Sequence, residues 1–392
     1  MILTRKQEEG LRIAVQNYRG GKKYTVISGY AGTGKTTLVR FIIEALDIKE
    51  EDICYCAFTG KAAEVLRKKG NKNSCTLHKL LFESIPKPNG GFLRKRKPVI
   101  DYKFIVVDEV SMVPKELMDI LFHHQCYVLC LGDPGQLPPI NKDDDNHLLD
   151  KPDIFLDEIM RQAAESEIIR LTMKIRNQEP IPYMNGNDVK VLRKSELNTG
   201  MLTWADQILV ATNKQKNTIN TTMRQLFNKG DDPSDGDKVI CTRNYWDDVN
   251  EDGDALINGS IGYLKNPFKT FFMIPSYVMP GRKRIDILNS EFIGTDGITY
   301  GSFDMDYNMI LSGEATLNSK LKYQLGRNKM NRHLIPYEFT YGYAITTHRA
   351  QGSEWDNVLV MEEKFPFDKT EHARWLYTAV TRSSKKCVLI RG

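Results

Sequence analysis

No stretch of this sequence nears the roughly 20 consecutive apolar residues that a bilayer-spanning helix needs. Met1–Lys6 carries no apolar core of a secretory leader either. These two absences lead us to expect no membrane association and a place in the cytoplasm. Charge of one sign is also lacking, since 55 basic and 50 acidic side chains leave only +5 over 392 residues, too little to name a partner by itself. Cysteine and histidine never fall at zinc-ligand spacing. The seven cysteines (Cys54, Cys56, Cys75, Cys126, Cys130, Cys241, Cys387) are odd in number, and several sit in apolar runs. Cys54 and Cys56 alternate along a strand-like stretch, which reads them as buried thiols in a reducing compartment. Internal repeats and low-complexity tracts are missing as well, which excludes solenoids and disordered arrays.

What remains is a packed α/β chain. Apolar residues make up 41% and charged residues 27%, ordinary for a globular protein, and at about 150 residues per domain the length predicts two or three domains. From Tyr24 the pattern runs strand, glycine loop and helix to Leu46, then strand Ile53–Phe58 and a helix from Lys61. It resumes with strand Phe104–Val107, helix Pro114–Phe122 and strand Tyr127–Leu131, the rhythm of a parallel sheet. Between them, residues 82–101 hold Pro86, Pro88, Asn89, Gly90, Gly91 and the basic run Arg94–Lys97, which predicts a hairpin insertion. A second α/β rhythm starts with strand Gln207–Ala211 and helix Lys214–Phe227, and ends with strand Val358–Met361, helix Ala373–Thr381 and strand Cys387–Ile390. Short β-rich pieces at Lys238–Thr242, Phe271–Ile274 and Glu291–Ile293, with a second basic run at Arg282–Arg284, predict a small β-module between the halves.

The chemistry is concentrated at one expected edge. Gly29-Tyr30-Ala31-Gly32-Thr33-Gly34-Lys35-Thr36 matches the P-loop pattern, directly after a strand and before the helix that begins near Thr37. Backbone N–H groups of Gly29, Ala31, Gly32, Thr33 and Gly34 are expected to cradle phosphate oxygens at a helix N-terminus. Lys35 would neutralise the β- and γ-phosphates of ATP, and Thr36 would ligate Mg2+. The strand Phe104–Val107 delivers Asp108 to the metal and Glu109 to the attacking water, a hydrolase arrangement. After a third strand, the loop Gly132–Pro139 places Gln136 to sense the γ-phosphate. Arg161 and Arg382 are the candidate arginines for the charge that spreads in phosphoryl transfer.

Taken in order, these segments resemble the superfamily 1 helicases, in the branch that contains RecD and the phage Dda helicase (superfamily 1B). The resemblance starts at Leu3-Thr4 with Gln7, similar to an adenine-reading Q motif, and continues through Ala57–Ala63, Thr76-Leu77-His78, Asp108–Met112, Gly132–Pro139 and Arg161-Gln162. It ends with Thr347–Glu354 and Tyr377–Arg382, covering nearly the whole chain. It implies two RecA-like P-loop NTPase domains with a pin hairpin in the first and an SH3-like β insertion in the second. The implied boundaries are 1–81 with 102–195 for domain 1A, 82–101 for the pin, 196–243 with 336–392 for domain 2A, and 244–335 for domain 2B. It implies arginine fingers at Arg161 and Arg382, coupling through Gln136, and Gly352 and Glu354 at the nucleotide cleft. Thr59, Thr76, His78, Thr347 and His348 would hold a DNA strand, with Phe92 at the pin's tip. The implied activity is ATP-dependent DNA unwinding, 5′ to 3′ along single-stranded DNA and at forks, by a monomer in replication, recombination or repair, with proteins of those processes as partners. Two rival readings are a translocase that displaces proteins without efficient unwinding, and an ATPase switch or loader within a larger complex.

Overall fold

The computed structural model describes the chain apart from residues 1–2, 87–91, 139–143, 161–164, 250–254, 279–282, 296 and 364–367. No side chain is described for 84–86, 92–94, 246, 247, 249, 255, 283 or 329. The chain divides into two compact units, residues 1–82 with 97–211 and 346–392, and residues 83–96 with 212–345.

The first unit opens with α1 (Arg5–Arg19), begun by a capping box in which Thr4 and Gln7 satisfy each other's backbone N–H groups. Its elements then run β1 (Tyr24–Gly29), α2 (Lys35–Leu46), β2 (Ile53–Ala57), α3 (Gly60–Lys68), β3 (Ser74–Thr76) and α4 (Leu77–Leu81). In the second unit β4 (Phe82–Pro86) and β5 (Phe92–Arg96) form a two-stranded hairpin where the sequence predicts an insertion. Back in the first unit come β6 (Phe104–Val107), α5 (Lys115–Phe122), β7 (Tyr127–Gly132) and β8 (Ile154–Leu156). The strands form a parallel sheet in the order β3-β2-β6-β7-β1-β8. Helices on both faces leave β6 and β7 wholly buried, so their sequences are apolar without alternation. Period-2 geometry still sorts the side chains: Cys54, Cys56, Ile105, Val107 and Val128 pack on one face, and Ile53, Phe104, Val106 and Leu129 on the other.

The same unit holds a second sheet. Here α6 (Glu167–Arg176) leads to β9 (Met184–Asn185), β10 (Val189–Arg193), α7 (Thr199–Trp204) and β11 (Gln207–Val210). The strand β10, which falls within residues 102–195 assigned above to the first lobe, pairs in parallel with the C-terminal strand Ser383–Arg391 of the second. By sheet membership, β9 and β10 go with the second sheet. Val189 and Val191 need a sheet neighbour to be buried, and the neighbour with the matching register is that strand.

In the second unit, α8 (Asn213–Leu226) is followed by β12 (Lys238–Cys241), β13 (Tyr245–Val249), β14 (Ala255–Leu256), β15 (Ile261–Ile274), β16 (Lys283–Gly294), β17 (Thr299–Asp306), α9 (Tyr307–Ser312), α10 (Ser319–Gly326), β18 (Phe339–Tyr341) and β19 (Ala344–Thr346). An antiparallel sheet runs β17-β16-β15-β12-β18. The strand β12 thus belongs to this module rather than to a lobe ending at 243. The fragments seen at Phe271–Ile274 and Glu291–Ile293 are parts of two long strands. Asn266 and Pro267 break the sequence pattern, but a register shift between Lys265 and Phe268 absorbs them.

The chain re-enters the first unit through α11 (Thr347–Ala350), β20 (Trp355–Met361), α12 (Lys369–Val380) and β21 (Ser383–Arg391). Within this unit the second sheet is parallel from β11 through β20 and β21 to β10, with β9 antiparallel at the edge. No described helix is long and apolar enough to cross a membrane.

Candidate functional site

The strand β1 delivers its last residue, Gly29, into a loop that turns at Gly32 and Gly34, both at φ +79°. Gly34 is the N-cap of α2. A Cβ on Gly34 would lie 2.4 Å from Gln7 Nε2 and 2.6 Å from Met160 Sδ, so this turn demands glycine for space as well as for φ. Gln7 is buried, accepts from the Thr4 N–H at 3.0 Å and donates to the Thr33 carbonyl at 3.2 Å. The residue expected to read adenine therefore braces the back of the phosphate loop. Lys35 curls over that loop and donates to the carbonyls of Gly29 (2.6 Å) and Tyr30 (3.1 Å). Thr36, beside it, is exposed, and Thr37 is half-buried.

Asp108 emerges from β6 with its backbone N–H bonded to the Cys56 carbonyl at 2.8 Å. Burial, and next the charge of Glu109, push its carboxyl up to about 6, with the Lys35 ammonium and a bond from the Glu109 N–H opposing them. Glu109 sits at φ 51°, a left-handed backbone uncommon for a side chain of this size. Gln136 Nε2 donates to Glu109 Oε1 at 3.3 Å. Gln136 Oε1 and Ser111 Oγ are buried without a hydrogen-bond partner among the described residues, and buried orphan oxygens suit water or a hydrated cation.

The second sheet adds its part through α12. Arg382, 6% exposed, donates to the carbonyls of Thr378 and Ser353 and to Thr381 Oγ1, each at 3.2 Å, which leaves its Nη2 3.9 Å from Glu109 Oε1. Tyr377, missed as an individual site residue in the sequence, is more central still. Its hydroxyl accepts from the Ala31 N–H of the phosphate loop at 2.9 Å and donates to the buried Asp133 at 2.7 Å. Burial raises both the Tyr377 hydroxyl and the Asp133 carboxyl above their ordinary values. Thr378 Oγ1 accepts from the Leu137 N–H at 2.9 Å, and Gln351 donates to the Leu137 carbonyl at 3.0 Å. The loop of Gln136 is thus stitched to the second sheet on both sides. Tyr377 and Gln351 lie inside segments that the sequence singles out, but nothing in a linear pattern marks a tyrosine as a bridge.

Arg161 lies outside the described residues. Met160, just before it, donates its N–H to the Gly32 carbonyl at 3.1 Å, so the chain reaches the phosphate loop at that point. Gly352 sits at φ +75°, and a Cβ there would lie 2.8 Å from Ala62 Cβ. Glu354 is exposed. The five strand-holding candidates occupy helix starts of the first unit. Thr59 and Thr76 cap α3 and α4 with their hydroxyls, His78 stacks on Phe82, and the fully buried Thr347 bonds the Val210 carbonyl at 3.3 Å. Burial lowers the His348 imidazole. Phe92 begins β5, and its side chain lies outside the described residues.

A phosphate loop, an acidic pair at the end of another strand of the same parallel sheet and an arginine from a second sheet define a P-loop NTPase. Residues 3–194 match the family model described as an AAA domain, and residues 341–390 match the UvrD-like helicase C-terminal domain. The ATP-dependent RecD2 DNA helicase of Deinococcus radiodurans is 26% identical over 97% of this chain and 49% of its own length. The ATP-dependent DNA helicase dda of Enterobacteria phage T4 is 33% identical over 35% of this chain and 33% of its own. This chain therefore spans half or less of those two curated relatives. Among solved structures, one of Pif1 helicases at forked duplex DNA shares the fold at a TM-score of 0.57 and 18% identity, covering 99% of this chain and 92% of that one. A Bacteroides Pif1 structure with ADP-AlF3 and single-stranded DNA does so at 0.53 and 17%, covering 100% and 93%. The chain belongs to the superfamily 1 helicases of the RecD, Dda and Pif1 type.

Proposed function

We propose that this protein is an ATP-dependent DNA helicase that moves 5′ to 3′ along single-stranded DNA and opens duplex at forks. The observation that carries the reading is the approach of Arg382, from the second parallel sheet, to Glu109 of the first, with Tyr377 bonded to the phosphate loop beside them. A nucleotide seated there touches both sheets, so its γ-phosphate has differential affinity for the state in which they meet, as a ligand-driven switch requires.

In this reading Lys35 and the loop amides hold the phosphates, Glu109 orients the attacking water, Gln136 relays the γ-phosphate's presence to the loop it lies on, and Arg382 with Arg161 stabilises the transition state. The half-buried Asp108, exposed Thr36 and orphaned oxygens of Gln136 and Ser111 fit a Mg2+ site. Such an ion, when bound, would neutralise charge on the β- and γ-phosphates. Thr59, Thr76, His78, Thr347 and His348 mark the helix starts along which a strand path runs. The hairpin at β4–β5 serves as a pin with Phe92 at the fork, and the antiparallel module of β12 and β15–β18 serves as an SH3-like domain 2B. The protein works as a monomer in replication, recombination or repair.

The test is ATP-driven separation of matched duplexes bearing a 5′ tail, a 3′ tail or none. Opening of the 5′-tailed duplex alone is expected, with loss of all opening and of DNA-stimulated ATPase in Lys35→Ala. Opening from the 3′ tail alone would overturn the direction, and DNA-stimulated ATPase without opening would favour a translocase.

A further inference from the structure

One group of reactive side chains in the first sheet has no part in the nucleotide site. Cys54 and Cys56 are alternate residues of β2, so both side chains leave the same face, and Cys75 on β3 is the register partner of Cys56. The three sulfurs form a near-equilateral triangle: Cys54 to Cys56 is 3.6 Å, Cys54 to Cys75 is 3.6 Å, and Cys56 to Cys75 is 3.9 Å. Cys54 and Cys56 are almost wholly buried, and Cys75 is half-buried. Among the described residues this is the one group of three or more cysteine, histidine or acidic side chains with donor atoms close enough for a shared ion.

The triangle has the dimensions of three corners of a tetrahedral thiolate site. A zinc–sulfur bond of about 2.3 Å separates ligand sulfurs by about 3.8 Å in a tetrahedron. The surroundings also suit a site of that charge. The ammonium groups of Lys79 and Lys97 act on Cys75 from nearby. Lys97 is itself fixed by a 3.1 Å bond to the Lys79 carbonyl. Three thiolates around a divalent ion carry one net negative charge, and two nearby cations offset it.

We propose that Cys54, Cys56 and Cys75 form a binding site for one thiophilic d10 cation, with Zn2+ as the natural occupant and the fourth ligand drawn from solvent beside the half-buried Cys75. Binding forms three metal–sulfur bonds and releases three thiol protons, so acid weakens it. The sequence conceals the site because its ligands come from two strands that are neighbours in the sheet, with Cys75 lying 21 residues after Cys54 and 19 after Cys56. The ion would tie the three-residue edge strand β3 to β2, directly beneath Thr76, which caps α4, and Thr59, which caps α3. The site is thus distinct from the ATP site, yet it stiffens the loops assigned above to the DNA strand.

The experiment uses the full chain, reduced and stripped with a chelator, with excess Mg2+ to fill the hard-cation site. Titration with Co2+ should saturate at one ion per chain with a thiolate-to-cobalt charge-transfer band in the near ultraviolet. One equivalent of Zn2+ should then bleach the band. Cys75→Ser, at the half-buried position, should abolish the band while still binding ADP, which reports that the lobe is folded. Cys126→Ala, outside the cluster, should leave it unchanged. Absence of the band in the unaltered chain, or its persistence at full strength in folded Cys75→Ser, would overturn the proposal and leave the three thiols as inert packing.

Discussion

Replacing Arg382 by lysine removes the guanidinium while leaving a positive charge at the end of α12. The arginine is held by three bonds, to Thr378, Ser353 and Thr381, and it stands 3.9 Å from Glu109. Lysine cannot reproduce that fork, so the charge loses its fixed position as well as its planar donors. A lysine ammonium that is no longer held within reach forfeits the attraction of its charge: at an effective dielectric near 20, a unit charge about 4 Å away is worth about 4 kcal/mol, which corresponds to a factor of about 10^3 in rate. This falls at the low end of the roughly 10^3 to 10^5 that such arginines contribute to phosphoryl transfer. We expect DNA-stimulated ATPase in Arg382→Lys to fall about 10^3-fold in kcat, with KM for ATP changed by less than about fivefold, because the arginine acts on charge that develops only in the transition state. The assay is steady-state phosphate release at saturating single-stranded DNA, with equilibrium binding of a fluorescent ADP as the control for folding. A kcat within about tenfold of the unaltered chain would refute the assignment.

Two other substitutions test separate parts of the structure. Gly34→Ala forces a side chain into the left-handed region, at about 1–2 kcal/mol, and into contact with Gln7, which is too buried to swing away. ADP affinity should drop by at least about tenfold, and unchanged binding by calorimetry would contradict the brace that Gln7 provides. For His348, burial lowers the folded-state pKa below the ordinary 6.5. The unfolded chain therefore binds the proton first as pH falls, so this residue's contribution to stability declines below about pH 6.5 and is retained above it. Denaturant midpoints at about pH 7.5 and about pH 5.5 should differ less in His348→Gln than in the unaltered chain. Equal differences in the two proteins would show that the imidazole does not carry this dependence.

The phosphate loop was legible in the sequence because its chemistry is local. The glycines, Lys35 and Thr36 are consecutive, a strand must precede them and a helix must follow, so the pattern and its geometry are one fact. Asp108 and Glu109 were legible for a similar reason, since four wholly apolar residues announce the buried strand that carries them. The opening helix α1 and the strands β8 and β10 were not seen. The helix is polar on most of its surface, β8 is only three residues long, and β10 carries Lys190 and Arg193 among its apolar residues. Two short fragments likewise concealed the long β15–β16 pair, because a bulge can absorb Asn266 and Pro267 where a sequence pattern cannot. The sequence by itself thus determined the P-loop class, the acidic pair and the presence of two α/β halves, all properties of neighbouring residues. Only the tertiary structure decided that β10 joins the second sheet, that Tyr377 bridges Asp133 and the Ala31 amide, that Arg382 faces Glu109, and that Cys75 meets Cys54 and Cys56. Those relations join residues up to some 350 positions apart, and only sheet register and packing bring such atoms within bonding distance.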